Sequence, residues 1–156
     1  LIDDIDRQII KHLQTDGRMP YSQLGQLIGL SDASARQRVN RLTERGVIDI
    51  VAVTDPTTLG LGIQAMLGIA VAGDARRIAV DIGACDEAVY VVLTTGRYDL
   101  LVEVVVADGD ALLGLLAELN GITGVASIET IRYLALSKQT YDWGVGERDV
   151  GERDER

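Results

Sequence analysis

The sequence predicts an α+β chain of two small domains, three helices followed by a βαββαβ run, and three observations carry that prediction. Apolar residues recur at helical spacing through residues 1–46 and change to strand-like runs alternating with helical ones from Ile63 onward. Asp55, Pro56, Gly60 and Gly62 cluster between the two patterns and break regular structure, so a linker is placed at 55–62 between domains at 1–54 and 63–140. Charge divides at the same place. Residues 1–54 hold seven acids and seven bases, so the remaining seventeen acids and eight bases carry the whole net charge of −9.

The first helix is signalled by Ile2, Ile5, Ile9, Ile10 and Leu13 on one face. Asp3, Asp4 and Asp6 sit at the positive end of its dipole, Lys11 and His12 lie near the negative end, and Gly17 closes it. A short second helix follows from Tyr21, with Leu24, Leu27 and Ile28 on its apolar side, Ser22 as the expected cap and Gly29 as the stop. A third starts at once, because Ser31 is a good N-cap, Ala35, Val39 and Leu42 recur at i, i+4 and i+7, and Gly46 stands where a helix ends. Two helices joined by a short Gly-containing turn, with apolar Leu30 inside the turn, form a helix-turn-helix. Residues 47–53 are β-prone and are expected to add a short strand or wing.

Beyond the linker, strands are expected at 63–71, 89–94, 99–106 and 125–136, and helices at 74–83 and 108–119. That order is the ferredoxin-like plan, an antiparallel four-stranded sheet with both helices on one face. Its other face must be covered, and a second subunit is the natural cover. Residues 145–154 repeat a pentapeptide, Val145 to Asp149 and again Val150 to Asp154, with high charge, and a C-terminal tail is expected over 141–156 with its end disordered.

Composition narrows the function. With no Phe and one Trp the core must be aliphatic, and no apolar run is long enough to span a membrane, so a soluble cytoplasmic protein is expected. Cys85 is the single cysteine, which excludes an internal disulfide and favours a buried, inert thiol. His12 is the single histidine and is read as a capping or packing residue. No Walker-type phosphate loop, Ser/His/Asp set or metal-ligand cluster is present, so no cofactor is expected.

A net charge of −9 argues against a nucleic-acid partner until its distribution is considered. Residues 31–45 carry Arg36, Arg38, Arg41 and Arg45 against Asp32 and Glu44. At about 100° per residue, Ala35, Val39 and Leu42 mark the buried side of the third helix. Ser34, Arg38, Arg41 and Arg45 then fall on one exposed flank suited to phosphates. Ser31, Asp32, Ala33, Ser34, Arg36 and Gln37 lie at the N-terminal end, where recognition helices meet base edges. Gln37 suits adenine and Arg36 guanine. A solvated charged face accounts for the same helix taken alone; the preceding turn and helix favour DNA.

Several motifs in order resemble the Lrp/AsnC family of feast/famine transcription regulators, over residues 3 to about 140. They are the opening run Asp6 to Arg18, Gly29-Leu30-Ser31 with Arg38-Val39-Asn40-Arg41-Leu42 and Gly46-Val47-Ile48, the linker Asp55-Pro56 with Leu59-Gly60, and Thr95-Gly96-Arg97-Tyr98-Asp99-Leu100-Leu101. The chain departs from the family pattern at Ile50-Val51, where many relatives have Gly and an aromatic residue. The resemblance implies a double-stranded DNA partner, an amino acid or similar small-molecule effector, and self-assembly as a homodimer or octamer. It also implies an effector site at Gly96, Arg97, Tyr98, Asp99 and Leu100, bordered by Gly109 and by Thr130, Ile131, Arg132 and Tyr133. Gly96 permits positive φ, so loop amides can converge on a carboxylate, while Asp99 takes an ammonium group. The plainer reading of the same loop is a β-hairpin turn.

Two other functions compete with the regulator. A siroheme-decarboxylase-like enzyme shares the two-domain layout, but residues 55–156 contain no His and only Lys138 among lysines, leaving Arg97, Arg132, Tyr90, Tyr98 and Tyr133 as polar candidates. A metabolite-binding module with a vestigial first domain is disfavoured by the arginines of the third helix.

Overall fold

A computed structural model of the chain describes residues 2–139. The expected tail at 141–156 lies outside the described residues. The chain divides into two compact units, one built on Leu1–Ala52 and the other on Val53–Ser137.

In the first unit, helix α1 spans Asp4–Thr15 and opens with a capping box. The Asp6 N–H donates to Asp3 Oδ1 at 2.8 Å and the Asp3 N–H to Asp6 Oδ2 at 3.3 Å, so two orphan donors are satisfied reciprocally. Helix α2 spans Tyr21–Ile28 and has no side-chain cap. Ser22 therefore does not cap it: Pro20 fills that position, its carbonyl accepts the first helical bond from Leu24 N–H, and Ser22 lies inside the first turn. Gly29 ends α2 with φ +70°. Helix α3, Asp32–Glu44, is capped as expected by Ser31, whose hydroxyl accepts the Ser34 N–H at 3.2 Å. Ile9, Ile10, Leu24, Val39 and Leu42 form the core that joins the three helices.

Residues 47–53 form no strand. Their β-branched residues are suited to a ladder, but a strand also needs a partner, and none of the described residues pairs with them; Ile50, Val51 and Val53 are exposed. In the linker, Thr57–Leu59 is a 3-10 turn anchored by Asp55, which accepts from Thr57 N–H and Thr58 Oγ1. Those bonds hold the Asp55 carboxyl below the usual carboxylate range.

The second unit runs β1 (Ile63–Val71), α4 (Ala75–Ile82), β2 (Ala88–Leu93), β3 (Leu100–Val106), α5 (Gly109–Gly121) and β4 (Val125–Arg132). The sheet order is β2-β3-β1-β4 with every neighbouring pair antiparallel. Asp74 and Asp108 cap α4 and α5 through their carboxylates. Ala65, Leu67, Val102 and Val104 face Ile78 and Ile82 of α4 and Leu115 and Leu119 of α5 in one aliphatic core. The ferredoxin-like expectation is thus realised. β4 is shorter than expected and ends at Arg132, because its partner β1 begins at Ile63 and the last bond of the ladder is Tyr133 N–H to Gln64 O. Leu134, beyond that point, is almost wholly exposed.

Candidate DNA interface and effector loop

The turn between α2 and α3 is unusually close. A Cβ on Gly25 would lie 2.7 Å from the Leu30 carbonyl oxygen, so only glycine lets the turn fold back against α2. Ser31 then fixes the start of α3 and so sets which of its side chains face outward. Ser31, Asp32, Ala33, Ser34, Arg36, Gln37, Arg41 and Arg45 are all exposed, whereas Arg38 is half-buried. A concavity of 1010 Å³ runs along this side of α3, with Ser34, Arg36, Gln37 and Asn40 among its lining residues. The Arg36 guanidinium lies 5.3 Å above the Tyr21 ring, a cation–π distance.

The flank is not the free cationic stripe that sequence suggests. Arg38 Nη1 donates to Asp3 Oδ2 at 2.7 Å and to Asp6 Oδ1 at 2.8 Å. Arg41 Nη2 donates to both Asp6 oxygens, at 3.0 and 3.2 Å. The hydrogen bond from Arg38 holds the Asp3 carboxyl below its usual range, and the Asp3 and Asp6 carboxylates push the Arg38 guanidinium up. Sequence reasoning treats Asp3 and Asp6 as dipole charges and misses this network. A signal exists: Asp6 stands three and four residues before Ile9 and Ile10, on the stripe that packs inward.

In the second unit, residues 94–99 are the β2–β3 hairpin loop, and Gly96 has φ +120°. Asp99 is bonded three ways: its carbonyl accepts from Thr94 N–H, its N–H donates to Ile69 O, and its Oδ2 accepts from Val71 N–H at 2.8 Å. The carboxylate thereby ties the loop to the end of β1, while the Asp99 amide is already spent on β1. Tyr98 lies flat on Gly68, where a Cβ would come within 2.7 Å of the ring. Its hydroxyl donates to Glu129 Oε2 at 2.5 Å, a bond that raises the phenol above its usual range. Arg97 pairs with the same oxygen at 2.8 Å and sits 5.2 Å from the Tyr98 ring centre. Gly68 and Glu129 are thus part of the loop's surroundings that sequence reasoning misses; a glycine inside an apolar strand is the available signal.

The remaining expected effector residues do not gather around this loop: it is held at the Ile69–Val71 end of β1, whereas Gly109 follows the far end of β3, and Arg132 and Tyr133 lie beside Ala65 and Gln64 at the other end of β1. Leu100 is completely buried, and its side chain packs in the aliphatic core. Gly109 opens α5. Along β4, Thr130 and Arg132 pair with Leu67 and Ala65, on the helix-covered side of the sheet, whereas Ile131 pairs with Met66 on the opposite side. Tyr133 follows the strand; burial and Glu103 raise its phenol. Cys85 is half-buried against the core, and its thiol is pushed up by burial and Glu118. The His12 carbonyl accepts the Asp16 N–H where α1 closes.

A helix-turn-helix followed by a ferredoxin-like ligand-binding domain defines a DNA-binding regulator with a small-molecule sensor. Residues 2–43 match the AsnC-type helix-turn-helix domain, and residues 64–143 match the Lrp/AsnC ligand binding domain. The chain belongs to the Lrp/AsnC family of transcriptional regulators, and it is a regulator rather than an enzyme. It is 35% identical to the HTH-type transcriptional regulator FL11 of Pyrococcus furiosus, over 90% of this chain and 94% of that one. It is also 33% identical to the HTH-type transcriptional regulator AldR of Mycolicibacterium smegmatis, over 83% and 79% of the two chains. Among solved structures, E. coli AsnC superposes with a TM-score of 0.80 at 26% identity, covering 91% of this chain and 99% of that one. A transcriptional regulator from Neisseria meningitidis, solved as its complex with L-Met, superposes with a TM-score of 0.83 at 25% identity, covering 93% and 97%. Among the described residues no helix is long and apolar enough to cross a membrane.

Proposed function

We propose that this regulator works inside the cell, binds DNA sequence-specifically as a dimer or higher assembly, and changes assembly or DNA affinity when an amino acid occupies the 96–99 loop. The observation that carries the DNA reading is the exposed N-terminal half of α3, capped by Ser31 and presenting Ser34, Arg36 and Gln37. Arg38 and Arg41 reach phosphates through the donors that the aspartates do not take, Nε and Nη2 of Arg38 and Nε and Nη1 of Arg41, with Arg45 extending the line. Paired α3 helices of a dimer meet successive major grooves about 34 Å apart.

Assembly is supported by the uncovered side of the sheet, where Met66, Leu101 and Val105 are only half-buried and Ile131 is exposed. Light scattering at micromolar concentration is expected to give at least a dimer, and a monomer contradicts it. For the effector, the support is the L-Met complex of the Neisseria relative together with the positive φ of Gly96 and the ordered Asp99 carboxylate. Asp99 takes the ammonium group, and the loop amides left unspent take the α-carboxylate.

The test of the DNA reading is a salt series of mobility shifts. Arg38→Ala or Arg41→Ala is expected to weaken binding to every sequence and to lower the slope against log salt by about 0.9 for each phosphate that is no longer neutralised. An unchanged slope contradicts the reading.

A further inference from the structure

We infer that Asp6 is a positioning residue for DNA recognition: one buried carboxylate on α1 fixes both Arg38 and Arg41 on α3, so that their remaining donors meet DNA from set positions. This rests on the reading of α3 as the DNA-contacting helix.

Asp6 is 1% exposed and is the one buried charged residue among those described. A carboxylate taken out of water is costly unless fully paired, and Asp6 is paired completely: Arg38 on one oxygen, Arg41 on both, and the Asp3 amide on Oδ2. No buried side-chain nitrogen or oxygen among the described residues lacks a partner. Packing alone does not call for such a group, since replacing a whole buried ion-pair set by apolar side chains is often neutral or stabilising. What the carboxylate adds is direction. It engages one terminal nitrogen of each guanidinium and leaves the other donors of two side chains, one helical turn apart, oriented from a common anchor.

The charge count says what this achieves. Asp3 and Asp6 cancel Arg38 and Arg41, so the four groups add little to the general attraction for phosphate, which follows net charge. Their contribution is register. Arginines ordered on folding do not have to be ordered on binding, and phosphate contacts made from fixed positions hold α3 against one set of base edges. Discrimination between sequences, rather than gross affinity, is what Asp6 controls.

The test compares wild type with Asp6→Asn, Asp3→Asn and Arg41→Ala on a genomic fragment captured by the wild-type protein and on an unrelated duplex, each in a salt series, with circular dichroism to check folding. Asp6→Asn is expected to lower the preference for the captured fragment by about tenfold. Affinity for unrelated DNA should hold or rise, because a negative charge has been removed. Asp3→Asn keeps a good N-cap, removes one of the two carboxylates on Arg38 and leaves Arg41 untouched, so it should give a smaller drop in the same direction and carries the test if Asp6→Asn unfolds. A folded Asp6→Asn with unchanged preference, or with both affinities lowered equally, overturns the inference; so does an unchanged preference in Asp3→Asn. If Arg41→Ala lowers the salt slope while the aspartate variants leave preference intact, the positioning role alone has failed. If Arg41→Ala changes neither slope nor affinity, the assignment of α3 has failed with it.

Discussion

In the proposed reading Asp99 is both a turn former and a ligand group. Its Oδ2 accepts the Val71 N–H and its backbone joins Thr94 and Ile69, so the carboxylate is held in place before any effector arrives. A group fixed by folding costs little further ordering when it binds an ammonium ion. Asp99→Ala is therefore expected to weaken binding of the responsive amino acid by about tenfold or more in calorimetry, and to cost about 1 kcal/mol of stability from the missing hydrogen bond. Retained affinity with the small stability loss would mean that Asp99 only closes the hairpin. Asp3 illustrates a different kind of residue effect. Its carboxyl lies below the usual range because Arg38 bonds to it. The interaction is consequently in place above the ordinary carboxylate value of about 3.9 and is lost only as pH falls through the lower, folded-state value.

At the scale of elements, the helices and strands are legible wherever local chemistry and tertiary demand agree. Asp74 and Gly83 are recognisable as the two ends of one helix; the Asp74 carboxylate does satisfy the Arg76 and Arg77 amides, while Gly83 closes the helix in an ordinary right-handed conformation that any residue adopts. Ser31 and Gly46 likewise bracket α3. Elements that depend on a distant partner are less legible. Residues 47–53 have strand propensity but no ladder partner among the described residues, and β4 stops where β1 runs out. Ser22 has the chemistry of a cap, yet Pro20 already has the φ of −59° that the position accepts. The candidate site divides similarly. The exposed end of α3 follows from helical angles, and the hairpin follows from Gly96 and Asp99. The arginine–aspartate network and the Tyr98–Gly68–Glu129 stack join residues more than thirty positions apart or on different strands, which periodicity does not register.

At the scale of the whole molecule, the two units differ in charge, the first balanced and the second acidic. The first balances its charges, spending two aspartates on two of the arginines of α3, so sequence discrimination must come from placed contacts more than from a basic surface. The second carries the acid excess, away from α3 in sequence, and holds the hairpin loop proposed for the effector. The central claim is that these two activities are coupled: the amino acid that binds the loop changes how the protein holds DNA, and linkage requires the DNA to change the affinity for that amino acid by the same factor. The most direct measurement is the dissociation constant for a captured genomic fragment, at fixed salt, with each of the twenty amino acids added in turn to the wild type and to Asp99→Ala. The account predicts that at least one amino acid shifts the wild-type value by about fivefold or more, the usual range for such coupling, and that Asp99→Ala removes the shift while still binding DNA. A wild-type value that no amino acid moves, or a shift that survives intact in Asp99→Ala, would contradict it.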